Sequence, residues 1–175
     1  MTDYLVDTGA NLTHNSFDDD RNQVIERAEN VGVTRIIVTG TSDKSSQNAL
    51  ALAKTRPGKL FSTAGVHPHH AHDYSPSVKV TLAKLIQEDS VVAVGECGLD
   101  YFRNFSPREA QLKAFQAQLE LAAESGLPVF LHQREAHKDF IEILKPMINK
   151  ISAAVVHCFT DNRDALHNYL SMGFY

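Results

Sequence analysis

Residues Val91 to Tyr101 read V-V-A-V-G-E-C-G-L-D-Y, and no other stretch limits the fold as strongly. Four small or β-branched apolar residues run into Gly95, and a carboxylate follows directly. A short apolar run bounded by glycine predicts a strand buried on both faces, as in a parallel sheet covered by helices. Glu96 is then expected where that strand ends. A carboxylate at the mouth of an apolar barrel is costly unless something positive meets it, and no Lys or Arg occurs within the run. A metal ion is the simplest counter-charge.

Two later stretches share this design. Leu127 to Arg134 is L-P-V-F-L-H-Q-R, and Ala153 to Thr160 is A-A-V-V-H-C-F-T, each an apolar run that reaches a histidine. Glu96, His132 and His157 are separated by 36 and 25 residues, the length of one strand, one helix and their loops. The ligand set therefore repeats through the architecture, without a local motif. Imidazole and carboxylate donors from three separate strands make an open site that keeps positions for water and substrate, as catalytic metal sites do. A divalent metal there lowers the pKa of its water and polarises a carbonyl or phosphoryl oxygen. Each histidine taken singly also suits a hydrogen-bonded core residue, and Glu96 alone suits a partner for Arg103 or Arg134. Their joint placement at three strand ends favours the metal.

The rest of the chain predicts the same repeat. Tyr4 to Asp7, Thr34 to Thr39 and Leu60 to Val66 read as strands, followed by helices at residues 16–31, 42–56 and 78–86. In the first helix Ser16 is the expected N-cap, with Asp18, Asp19 and Asp20 in the opening turn, where the helix dipole favours negative charge. Ser106, Pro107 and Glu109 form a capping box that opens a helix running to Gly126. Helices through Phe140 and Leu144, and from Asp161 to Met172, follow the fifth and sixth strands. Gly173 to Tyr175 resembles the opening of a seventh. The expected fold is a TIM (β/α)8 barrel of the α/β class, represented by about six βα units in a single domain over residues 1–175, with strands seven and eight missing. A closed barrel of this kind needs at least ~200 residues, and the sequence has 175.

Composition excludes several alternatives. A net charge of −4 provides no broad basic face, so any nucleic acid must be gripped locally. No apolar run approaches the ~20 residues of a membrane span, and the N-terminus shows no basic region with an apolar segment behind it. The expected location is cytoplasmic, with no membrane partner. Cys97 and Cys158 each follow a ligand-type residue; reduced thiols packed at strand ends are expected, with a thiolate ligand as the sharper alternative.

Groups suited to an anionic substrate flank the metal set. Arg134 and Arg103 each offer a guanidinium fork for phosphate oxygens; an ion pair with Glu135 or Asp100, or plain solvation, is the competing reading. His67 and His69, in the loop G-V-H-P-H-H, suit a substrate contact or a proton carrier.

G-E-C-G-L-D-Y at 95–101, G-V-H-P-H at 65–69, L-H-Q-R-E-A at 131–136 and V-H-C-F-T at 156–160 together resemble the TatD family of metal-dependent deoxyribonucleases, within the amidohydrolase-like TIM-barrel hydrolases. The resemblance spans residues 4 to 175. It implies a magnesium-dependent 3′ to 5′ exonuclease acting on single-stranded DNA, with RNA as a further substrate, a part in DNA repair, and a monomeric full-length form. It also implies Glu96, His132 and His157 as metal ligands and His67 as the histidine after strand three. Ligand softness alone favours Zn²⁺ or Mn²⁺ at a His-rich site, so those two stand beside Mg²⁺.

Two departures bear on the chemistry. Many relatives carry a histidine-any-histidine pair after strand one; Gly9 and Asn11 stand there, and Asn11 is left as an oxygen donor to substrate or metal-held water. The family's late threonine-aspartate motif falls beyond residue 175. Two competing readings follow: a metal-dependent hydrolase of a small amide, lactone or ester, and a catalytically inactive fragment lacking the late aspartate.

Overall fold

Strands and helices alternate along the chain because short apolar runs alternate with amphipathic segments. A computed structural model describes residues 4–175. The strands are β1 (Leu5–Ala10), β2 (Val33–Val38), β3 (Leu60–Ala64), β4 (Val91–Asp100), β5 (Val129–Arg134) and β6 (Ala154–Val156). The helices are α1 (Arg21–Asn30), α2 (Asp43–Ala53), α3 (Pro76–Leu85), α4 (Arg108–Ser125), α5 (His137–Leu144) and α6 (Arg163–Ser171), so one helix follows each strand. All six strands pair in parallel, in sequential order from β1 to β6. Sequential parallel order with a helix after every strand is the build of a (β/α)8 barrel, of which six units lie among the described residues. After α6, Tyr175 donates its N–H to the Ala154 carbonyl and accepts from the Val156 N–H, at 3.0 and 2.8 Å. The expected seventh strand thus begins to pair with β6.

Packing divides into two apolar clusters. The larger joins β3–β6 with α3–α6 around Phe115, Leu119, Leu131, Phe140 and Leu144. Its centre is a stacked pair, Phe115 on Phe140, with ring centroids 5.0 Å apart. A smaller cluster holds α1 and α2 to β2 through Leu12, Ile25, Ile36, Val38 and Leu60.

Local capping explains several boundaries. Ser42, Ser75 and Asn162 accept from backbone N–H groups in the first turns of α2, α3 and α6, and Gly126 ends α4 in the left-handed region at φ 75°.

Three boundaries differ from expectation. Strand β4 does not stop at Glu96 but continues to Asp100. Gly98, at φ +143°, permits this: a Cβ there would lie 1.9 Å from the His132 carbonyl oxygen, so only glycine lets β4 and β5 approach so closely. The expected capping box at Ser106 is not formed, because α4 begins at Arg108 behind Pro107 and the Ser106 hydroxyl donates to the His69 carbonyl at 2.9 Å. Asp18, Asp19 and Asp20 precede α1 instead of lying within its first turn. There Asp18 accepts from Arg21, and Asp20 pairs with Arg27, about two helical turns further on.

Candidate metal centre

The C-terminal halves of β4 and β5, and the residues that follow β3 and β6, bring four ligand-type side chains to one point. That point is a single carboxylate oxygen, Glu96 Oε1. His157 Nε2 lies 2.6 Å from it, His132 Nδ1 3.1 Å and His67 Nε2 3.4 Å. Donor atoms of His67, Glu96 and His132 all fall within 4.8 Å of one another. Glu96 is only 6 % exposed, and among the described residues no Lys or Arg forms an ion pair with it. Burial by itself would raise the Glu96 carboxyl, but hydrogen bonds from His132, His157 and His67 overcome it and hold the group well below the ordinary carboxylate range. Burial lowers the His67 imidazole, and the adjacent carboxylate offsets this only partly.

Three imidazole nitrogens facing one buried carboxylate oxygen form a donor set of the kind that holds a divalent cation. Histidine nitrogen and carboxylate oxygen supply mixed N/O ligation, and they come from separate strand ends, which leaves the solvent side open. The residues therefore fit the metal that the sequence predicts.

Behind this set lies a carboxylate that sequence reasoning treated only as a partner for Arg103. Asp100 is fully buried, and its Oδ2 lies 3.1 Å from His132 Nε2 and 2.9 Å from His69 Nε2. Its Oδ1 accepts the backbone N–H of Arg103 at 2.8 Å, so a main-chain contact stands where the competing reading put an ion pair with an arginine side chain. Burial works against the charged form of Asp100, yet the Arg103 N–H and the two imidazoles hold its carboxyl below the ordinary range. A carboxylate on the far nitrogen of a metal-binding histidine fixes the ring's tautomer and orientation. The available signal was D-Y following the glutamate within one strand; it was missed because β4 was expected to end four residues earlier.

Two glutamines on α4 were also missed. Gln111 and Gln118 lie two turns apart on the buried face of the helix. The Gln111 amide accepts from Asp100 N–H at 2.8 Å and donates to the Asp100 carbonyl at 3.1 Å. Gln118 does the same for Val66, next to His67, at 2.7 and 3.1 Å. Each glutamine thus pairs like a short strand with the backbone beside a site residue. Their seven-residue spacing on an otherwise apolar face was the readable signal.

The expected substrate groups gather around the same opening. A cavity of about 470 Å³ is lined by Glu96, His67, His132 and His157, and its wall includes Asn11, His69, Arg103 and Arg134. Among the described residues neither arginine forms a side-chain ion pair, and the Arg134 guanidinium rests on the Phe102 ring, 4.1 Å from its centroid. At the place of the absent histidine pair, a Cβ on Gly9 would meet Phe130 Cζ at 2.6 Å, and the Phe130 ring stacks on His157 at 4.6 Å. The Phe130 ring fills the space a side chain at residue 9 would need. The cysteines divide: Cys97 is buried, as expected, and burial pushes its thiol well up, whereas Cys158 is exposed on the cavity wall because its left-handed backbone, φ 46°, turns it out of the core.

Comparison with known proteins agrees with this geometry. The profile described as TatD related DNase matches residues 6–175. A protein from Erwinia tasmaniensis named 3′-5′ ssDNA/RNA exonuclease TatD is 52 % identical over 171 residues, covering 98 % of this chain and 66 % of that protein. Its namesake from Pantoea vagans is 51 % identical over 169 residues, covering 97 % and 65 %. The chain thus spans about two thirds of the length of the curated relatives it matches. Among solved structures, the TatD homologue YJJV from Escherichia coli K12 superposes with a TM-score of 0.88 at 30 % identity, over 97 % of this chain and 66 % of that one. A TatD family hydrolase from Entamoeba histolytica gives 0.86 at 30 % identity, over 99 % and 64 %.

Proposed function

The chain belongs to the family of TatD related DNases, and from that premise we propose that it carries the metal-binding part of a nuclease that removes nucleotides from the 3′ ends of single-stranded DNA or RNA. The observation that carries this reading is the convergence of His67, His132 and His157 on Glu96 Oε1, within a cavity whose wall also holds Arg103 and Arg134, neither of them in a side-chain ion pair among the described residues. The names of the relatives supply the polynucleotide and the 3′ polarity.

In this reading Glu96, His132 and His157 hold the cation, with Mg²⁺ as the first choice and Mn²⁺ or Zn²⁺ as alternatives that the nitrogen-rich donor set accommodates. When bound, the cation supplies Lewis-acid polarisation of the phosphoryl group and a nucleophile at neutral pH. Arg103 and Arg134 draw the phosphate oxygens into the cavity and fix their orientation through guanidinium forks. His67, facing the same carboxylate, serves as a further nitrogen donor or as the group that moves a proton at the scissile oxygen. His69 and Asn11 line the opening as contacts to the sugar-phosphate chain. Asp100 positions His132 and His69 and does not itself touch the substrate. The cavity, about 470 Å³, falls in the size range of small-ligand pockets. A reducing cytoplasm suits its two free thiols.

The test is release of nucleotides from 3′-labelled and 5′-labelled single strands with Mg²⁺, Mn²⁺ or Zn²⁺, and with chelator. Metal-dependent loss of the 3′ label first, abolished in Glu96→Ala, is the expected result. Release that survives chelator would overturn the reading, and the absence of release with every metal would assign the chain to the competing reading of a catalytically inactive fragment. Turnover of small esters in place of nucleotides would assign the site to the competing hydrolase.

A further inference from the structure

Between β4 and α4 the chain runs through Tyr101, Phe102, Arg103, Asn104, Phe105 and Ser106, of which Arg103 lines the cavity. Two of these are large apolar rings left in water: Phe105 is 67 % exposed and Phe102 54 %. An exposed ring on a mobile loop would need no explanation, but this connection is pinned from below. The Arg103 N–H donates to the Asp100 carboxylate, and the Gln111 amide donates to the Ser106 carbonyl at 2.8 Å. The buried Ser106 hydroxyl donates to the His69 carbonyl. Residues on both sides of Phe105 are thus tied to buried groups that also hold the site.

The two rings differ in what they leave free. One face of Phe102 carries the Arg134 guanidinium. Phe105 packs on His69, edge to face, with centroids 4.7 Å apart and planes at 61°. Because His69 lines the cavity, the Phe105 ring stands beside the cavity wall while much of its surface remains in solvent.

An exposed aromatic on a pinned connection, two residues from an arginine of the cavity wall, has the parts with which proteins hold single-stranded nucleic acid: cations take the backbone, and a ring stacks on a base without regard to its identity. We propose that Phe105 is the stacking platform for one nucleobase of the strand whose phosphate enters the cavity. The inference rests on the polynucleotide reading given above and adds to it a base-recognising subsite. Recognition through a π-face, with no base-edge donor or acceptor supplied by Phe105, predicts tolerance of all four bases at that position.

The experiment compares binding of two single strands of equal length and charge, both protected at the 3′ end by phosphorothioate linkages. One carries bases throughout; the other has abasic tetrahydrofuran sugars at its last three positions. Dissociation constants are measured in Mg²⁺ for the parent protein, Phe105→Ala and Phe105→Trp. The proposal predicts that the parent prefers the complete strand by roughly tenfold, a factor within the range that loss of one base-aromatic stack produces. Phe105→Ala should bring the two strands to equal affinity by weakening the complete strand alone, and Phe105→Trp should keep the preference. The ring is exposed, so both variants should melt at the parent temperature. Equal binding of both strands by the parent, or a preference that survives in Phe105→Ala, would overturn the platform and leave the nuclease reading standing. No binding of either strand would overturn both.

Discussion

Strands β1 and β4 occupy equivalent places in the repeat, yet they are built in opposite ways. Every residue of β1 from Leu5 to Gly9 is exposed, whereas β4 is buried along almost its whole length and holds two carboxylates, Glu96 and Asp100, within that burial. The difference follows from neighbours. β4 is hydrogen-bonded on both sides and covered by α4, while β1 pairs only with β2 at the edge of the described sheet. The lesson is that the chemistry is placed where the backbone is most completely enclosed: a carboxylate on β4 is positioned by partners on several elements, whereas the β1 end contributes only the exposed Asn11 to the cavity wall.

The largest effect that would sharpen this contrast is expected from the helix that encloses β4. Phe115→Ala removes half of the stacked pair beneath β4 and β5, and truncation of a fully buried phenylalanine costs about 3–5 kcal/mol. Chemical denaturation should register that loss. A change below about 1 kcal/mol would mean that β4 is not held by this packing.

Somewhat smaller is Gln118→Leu, which keeps the volume but orphans the N–H and C=O of Val66. Leaving buried polar groups unsatisfied costs about 1–3 kcal/mol. Hydrogen exchange at the Val66 amide should accelerate strongly in this variant, and unchanged protection would show that the amide has another partner.

Asp100→Asn keeps shape and burial while removing the charge that orients His132. Loss of such a partner behind a ligand typically weakens metal affinity or activity by about 10–100-fold. Calorimetric titration with a divalent cation would read it. Affinity equal to that of the parent would reduce Asp100 to a structural role.

At the other pole, Leu5→Ala on the exposed edge should change stability by no more than about 0.5 kcal/mol. A loss of several kcal/mol there would break the contrast itself, since it would show β1 to be covered in solution.

How much of this was legible depends on whether a residue's role is local. The apolar runs and their glycines foretold six parallel strand-helix units, and the strand-end pattern placed Glu96, His132 and His157 together, because register in a parallel barrel puts equivalent ends on one rim. Ser106 misled because serine before proline and a glutamate is a capping signature, and nothing local reveals that its hydroxyl is taken by the His69 carbonyl. Asp100 was seen but misassigned: its histidine partners lie 31 and 32 residues away and meet it only through β4–β5 register and the loop after β3. Gln111 and Gln118 look like surface residues in composition, and only tertiary contact shows them completing the backbone of the site. Gly98 was visible as a glycine, but the close approach that requires it was not.

The central claim is that Glu96 organises a divalent-cation site. Isothermal titration of Mg²⁺, Mn²⁺ and Zn²⁺ into the parent protein and into Glu96→Ala tests it most directly, with thermal melts confirming that both are folded. The account predicts saturable binding of at least one of these cations to the parent and its loss in the variant. Equal affinity in the two proteins, or no binding to the folded parent, would contradict it.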